Sequence, residues 1–251
     1  MHKTPSLLLV LLGSTPGVET DTSQEIDDDT TPIPSQVEAA IRADTYTRWV
    51  FEVDAVGGRT LDAETSTAIP QILTQLVDKP DGIAFVSDDV LEGQLLWDDA
   101  ALRAIAEATF DDDAGTDVHS THVMLLDGTY TTPNVLGVAW EHTHVVLFTD
   151  AIVSFCAFGP GDADRVCPLV ERGVLLHEIG HILGLVNTGL PMVTDHEDPD
   201  NSYHDVDSDC IMYWAYERDG IVQYVQNQWS NAPDLGFDES CQDDIAAIRL
   251  R

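Results

Sequence analysis

The sequence predicts a single α/β domain of α+β character, with a mixed sheet and helices in an upper lobe over an irregular lower lobe. Three observations carry that prediction. Apolar stretches of strand length alternate with segments of helical spacing through the first two thirds of the chain. A strongly apolar helical segment, "GVLLHEIGHILGL", follows the last of the strand-like runs. Beyond Asn187 the patterning disappears until a final helix at about residues 238–250. With 251 residues the chain can bury a core without staples, so one domain is expected over residues 36–251, its lobes meeting at about residue 187.

The elements follow in order. The start, "MHKTPSLLLVLLGSTPGVETDTS", has a weakly basic end and a short apolar run, too short for the roughly 20 apolar residues that span a bilayer, and reads as a secretory signal. The Thr, Ser, Pro and Asp rich stretch to residue 35, with "EIDDDTTPIP", reads as a solvated linker. "TYTRWVFEVDAV" alternates as a strand does, and "LDAETSTAIPQILTQLVD" has helical spacing that Pro70 is expected to interrupt or delay. "GIAFVS" reads as a short buried strand, and "WDDAALRAIAEATF" as a helix whose opening acids suit its positive end. "THVMLLDGTY" and "GVAWEHTHVVLFTDAIV" read as strands, with His142 and His144 on one solvent-facing side of the second.

The formal net charge is -34, and Lys3 and Lys79 are the only lysines. Such a chain repels nucleic acid as well as itself, and molar salt, which shortens the Debye length to about 3 Å, removes the internal penalty. A halophilic, exported protein is expected. Four cysteines suit two disulfides in an oxidising compartment, Cys156 with Cys167 across a short interval and Cys210 with Cys241.

The chemistry concentrates in residues 174–192, "VLLHEIGHILGLVNTGLPM". His177 and His181 stand four apart, one turn above each other on a helix, so both imidazoles can reach one metal at about 2.0–2.1 Å. Glu178, beside the first histidine, can take a proton from water activated by that metal. Val174, Leu175, Ile179, Ile182 and Leu183 give the helix an apolar back, and Gly184 can take the positive φ that ends it. A catalytic zinc needs a third protein ligand. Asn187, His196 and His204 are the candidates, and helix geometry alone does not choose among them.

These residues resemble the metzincin clan of zinc metallopeptidases, whose motif H-E-x-x-H-x-x-G-x-x-H precedes a turn with a methionine beneath the metal. The match takes in His177, Glu178, His181 and Gly184, and departs at Asn187, where the clan has its third histidine. Downstream, "HDVDSDCIMYW" is similar to the archaemetzincin turn, in which the third histidine is followed by Cys, four residues, Cys, one residue and Met. Cys210 and Met212 keep that spacing, with Asp205 in place of the first cysteine. The resemblance covers residues 167–216 and makes His204 the expected third ligand, with His196 the alternative, Met212 the methionine of the turn, and the fold metzincin-like.

Further expectations rest on the same resemblance. One catalytic Zn2+ is expected, and no second structural zinc, because Cys241 stands alone after the turn. The implied reaction is hydrolysis of a peptide or protein substrate with Glu178 as general base, the extended substrate pairing with the strand near Val138 to Trp140. The alternative is an inactive zinc-bearing binding or inhibitory protein on the same scaffold. Trp214 stands where some metzincins carry a tyrosine, leaving Tyr203, Tyr213 and Tyr216 as candidates for its role. The alternating Asp205, Asp207 and Asp209 lack the glycine and the glutamate of an EF-hand loop and read as acidic surface.

Overall fold

A computed structural model describes residues 33–111, 115–158, 163–217 and 236–251. The expected signal segment and most of the linker lie outside these residues. The described chain belongs to one compact unit, residues 32–251.

The elements run α1 (Ser35–Ile41), β1 (Arg48–Val56), α2 (Ala63–Leu76), β2 (Ile83–Leu91), β3 (Leu96–Trp97), α3 (Asp99–Thr109), β4 (Val118–Leu126), β5 (Thr129–Tyr130), β6 (Gly137–Trp140), β7 (His144–Phe148), α4 (Thr149–Phe158) and α5 (Ala163–Ile182). A 3-10 turn (Trp214–Glu217) and α6 (Glu239–Arg249) complete the described chain. The main sheet has the order β2-β1-β4-β7-β6. Its first four strands are parallel, and β6 pairs antiparallel with β7 to form one edge. The fold is thus mixed α/β with a mostly parallel sheet. A small parallel pair, β3 with β5, stands apart.

Parallel central strands are covered on both faces, so they bury nearly every side chain. β1 does so from Trp49 to Val56, including Glu52 and Asp54. Those acids are tolerated because they are hydrogen-bonded: Glu52 Oε1 accepts from Asp111 N at 2.9 Å, Asp54 Oδ1 from Asp89 N at 3.0 Å, and Asp54 Oδ2 meets His122 Nε2 at 2.9 Å. Asp62, Asp98 and Asp238 cap α2, α3 and α6 with their carboxylates.

Four sequence expectations are corrected. The segment at residues 82–87 is not a short buried strand: β2 is nine residues long and largely exposed, because it forms the sheet edge opposite β6. Pro70 does not break α2, since fully buried Ile69 and Leu73 supply by packing what the proline costs in propensity. "TDAIV" opens α4 rather than continuing a strand; the apolar run crosses a boundary that periodicity cannot see. His142 lies in the turn after β6 at φ 51, not on a strand, and half-buried His144 stacks on Trp140 rather than facing solvent.

No disulfide is present among the described residues, so the expected bridges are corrected to pairs of neighbouring thiols. Cys210 Sγ stands 3.7 Å from Cys241 Sγ. Burial, followed by the hydrogen bond to Cys167, raises the pKa of the Cys156 thiol.

Candidate metal centre and cleft

α5 packs against β6, β7, α2 and α4. Its last turns carry His177, which is fully buried, and His181, which lines a cleft under the edge strand. The two rings meet edge to face with centroids 4.9 Å apart, as the i, i+4 spacing dictates. The third ring is that of His204: stacked on His177 at 5.3 Å and edge-on to His181 at 5.4 Å. One nitrogen from each of the three lies within 4.8 Å of the others.

Hydrogen bonds set the tautomers of two of these rings. His177 Nδ1 is 2.7 Å from the Ile211 carbonyl oxygen, and His204 Nδ1 is 3.0 Å from that of Ser202. A carbonyl only accepts, so each Nδ1 donates its N–H, and Nε2 is the nitrogen through which such a ring would ligate a metal. This is the outer support that metal-binding histidines use. Three imidazoles form a donor set that suits zinc, and the set contains no carboxylate.

Glycines allow the close approaches around the centre. A Cβ on Gly137 would stand 2.6 Å from Glu178 Oε1 and 2.7 Å from Val174 Cγ1, so only glycine lets α5 lie this close to β6. A Cβ on Gly180 would overlap the Met212 sulfur, and Met212 is fully buried beneath the helix. Glu178, His181 and His204 line a cleft of about 480 Å³ together with Val138, Trp140 and Tyr203. Another cavity, about 390 Å³ between α1 and the start of β4, shares none of its residues.

The remaining candidates stand elsewhere. His196 is buried between Asp205 (Nδ1 to Oδ2, 2.6 Å) and Asp244 of α6 (Nε2 to Oδ2, 3.0 Å), and is not grouped with His177 and His181. Burial opposes its protonation, but the two carboxylates outweigh burial and raise its pKa. Asn187, at φ 63, donates through Nδ2 to Glu197 Oε2 at 3.2 Å. Among the tyrosines, Tyr216 is buried with its ring 6.4 Å from that of His177, while Tyr203 is exposed at the cleft. His142, which the sequence placed on a strand, instead donates Nδ1–H to the His181 carbonyl at 3.0 Å and ties down the end of α5.

Two further groups were missed because their members are far apart in sequence. Glu52, Asp54 and His122 come together on β1 and β4, and His196, Asp205, Asp238 and Cys241 come together below the turn. Cys241 is therefore not isolated in space, although it stands alone in sequence. The alternation of apolar and ionisable residues along "VFEVDAV" and "THVMLL" was the one available signal for the first group.

No family model matches the sequence, and no curated protein matches it. The structure is similar to archaemetzincin from Methanopyrus kandleri, with a TM-score of 0.52 and 15% identity over 82% of this chain and 97% of that one. It also aligns with metalloproteinase-II from Bacteroides fragilis at a TM-score of 0.39 and 13% identity, over 86% of this chain and 61% of that one. The first likeness shows an archaemetzincin-like fold.

Proposed function

We propose that this chain is a zinc-dependent endopeptidase, with His177, His181 and His204 as metal ligands and Glu178 as general base. The convergence of three imidazoles, two of which line one cleft under a sheet edge together with the Glu178 carboxylate, carries the reading. Residues 36–251 form the catalytic domain in this reading, and residues 1–35 an export signal and linker. The protein works in a salt-rich medium outside the cell, which its charge of -34 supports. The substrate is a peptide or protein rather than nucleic acid. Among the described residues, no helix is long and apolar enough to cross a membrane.

When bound, zinc supplies Lewis-acid polarisation of the scissile carbonyl and lowers the pKa of water. The three histidines would hold the ion, two of them with Nδ1–H anchored on backbone carbonyls so that Nε2 stays oriented. Glu178, set one residue after His177, takes a proton from the attacking water on its carboxylate and returns it to the departing amine. β6 is the edge of the sheet and lines the cleft, so an extended substrate can add to it as a further strand and lie across Glu178. Met212, under Gly180, serves as the floor of the centre.

The test measures zinc affinity by chelator competition together with peptide cleavage in high salt. Glu178→Ala is expected to bind zinc as wild type does while cleavage falls at least about a hundredfold. His204→Ala is expected to lose zinc affinity, and His196→Ala to keep it. A wild type that binds zinc but cleaves nothing in a peptide library would favour the binding-protein alternative. Normal zinc binding by His204→Ala would remove the ligand assignment.

A further inference from the structure

A ligand delivered by a loop holds a metal only as well as the loop itself is held. His204 lies in such a loop. One side is fixed by burial: His196 sits between Asp205 and Asp244, and Val206 N donates to His196 O at 2.9 Å. The hairpin closes through the bridge between Glu197 and Asp205 and through Asp198 N to His204 O at 2.7 Å. At its tip the Asp198 carboxylate accepts from Asp200 N at 2.9 Å and Asn201 Nδ2 at 2.8 Å.

The residue immediately before the ligand is the awkward one. Tyr203 has φ 70, in the left-handed region that a bulky side chain rarely adopts. Glu197 compensates, with Oε1 accepting from Tyr203 N at 2.8 Å. The other oxygen of the same carboxylate accepts from Asn187 Nδ2 at 3.2 Å. Asn187 also has positive φ, a conformation asparagine tolerates well, and it lies in the turn that follows the end of α5 at Ile182. One carboxylate therefore ties the exit of the helix that carries His177 and His181 to the residue that aims His204.

We propose that Glu197, oriented by Asn187, is a positioning residue for the third metal ligand. Asn187 occupies the place in the helix motif where a direct ligand is expected, and acts instead through Glu197 on the loop that brings His204. The proposal rests on the reading of His204 as a ligand.

The experiment measures zinc affinity by chelator competition, and the d–d spectrum of the cobalt-loaded protein, with melting of the metal-free protein as the control for folding. Glu197→Ala is expected to weaken zinc binding about tenfold, the lower end of what loss of outer support costs a metal site. Its cobalt spectrum shifts, while the metal-free melting temperature stays at the wild-type value. Glu197→Gln is expected to rescue affinity to within about threefold, because its amide oxygen still accepts from Tyr203 N and the Asn187 amide can turn to meet its NH2. Asn187→Ala weakens binding a few-fold alone and adds nothing to Glu197→Ala, the signature of two residues acting through one contact.

Wild-type affinity in Glu197→Ala overturns the proposal, provided His204→Ala loses the metal. A Gln variant as weak as the Ala variant also overturns it, as does full additivity of the two alanine changes. Should Glu197→Ala lower the metal-free melting temperature, Asn187→Ala, at an exposed position, decides alone: unchanged zinc affinity overturns the proposal. If His204→Ala itself binds zinc normally, the ligand assignment fails and takes this inference with it.

Discussion

Histidine does different work at each place in this chain, and burial and partners decide which. His177 and His204 are held as Nδ1–H tautomers by carbonyls, and His196 is a cation candidate between two carboxylates. His119 is the opposite case. Burial, aided by the charge of Lys79, pushes its pKa down to about 3. Its Nε2 is buried without a hydrogen-bond partner among the described residues, and Tyr46 and Trp49 stand beside its ring. Its folded pKa lies below the unfolded value of about 6.5, so between the two the unfolded chain binds more protons. The stability His119 contributes is therefore full above pH 6.5 and falls as pH drops toward 3. His144, lowered to about 4 chiefly by burial, loses stability over much of the same window. We expect His119→Phe, which keeps the aromatic packing and removes the titration, to match wild type near pH 7 and exceed it by about 2 kcal/mol at pH 5. Urea unfolding of the metal-free proteins at the two pH values checks this, and an equal acid loss in both would rule it out.

At the scale of elements, the approach of α5 to β6 decides what the cleft can do. It depends on Gly137, whose Cβ would reach Glu178 Oε1 and Val174. On the proposed function, we expect Gly137→Ala to bind zinc as the wild type does, because the atoms nearest the new methyl belong to Glu178 and Val174, and to lose at least about tenfold in kcat/KM, because the carboxylate is pushed from its place. Zinc content and peptide cleavage measured on one preparation test this. Wild-type turnover would show that the close approach has no part in the chemistry. The motif on α5 was legible because its two histidines lie four residues apart on one helix. The start of α4 was not, since the apolar run from Val145 through Ile152 contains both a strand and a helix.

For the whole molecule the dominant fact is charge. The chain carries 45 acidic residues against 11 Lys and Arg. Among the described residues, arginine pairs with a carboxylate at Arg42–Asp44, Arg59–Asp150 and Arg103–Glu141, all with substantially exposed carboxylates that contribute little. Those pairs cannot offset the repulsion of the remaining acids, whereas salt can. Raising ionic strength from about 0.1 M to about 1 M shortens the Debye length from about 10 Å to about 3 Å. We expect the melting temperature followed by circular dichroism to climb steadily with KCl through the molar range. A melting temperature indifferent to salt would remove the halophilic reading.

Sequence by itself determined what rests on neighbours along the chain. It put His177, Glu178 and His181 on one turn of one helix, set Asp98 and Asp238 where helices begin, and allowed the chain to leave α5 at Gly184, found at φ 77. Tertiary structure decided which imidazole stands with that pair. Asn187, His196 and His204 all lie in or next to an aperiodic loop, where no local spacing fixes direction. His196 is drawn away by Asp244, a residue of α6 that lies far along the chain, and Asn187 is engaged by Glu197. His204 remains over the helix because the hairpin is anchored at Asp205, whose N–H donates to the Met212 carbonyl at 2.9 Å, while the Ile211 carbonyl just before it holds His177. Contacts of that range are set by how the loop, the turn and α6 pack together, a property that no window of sequence contains.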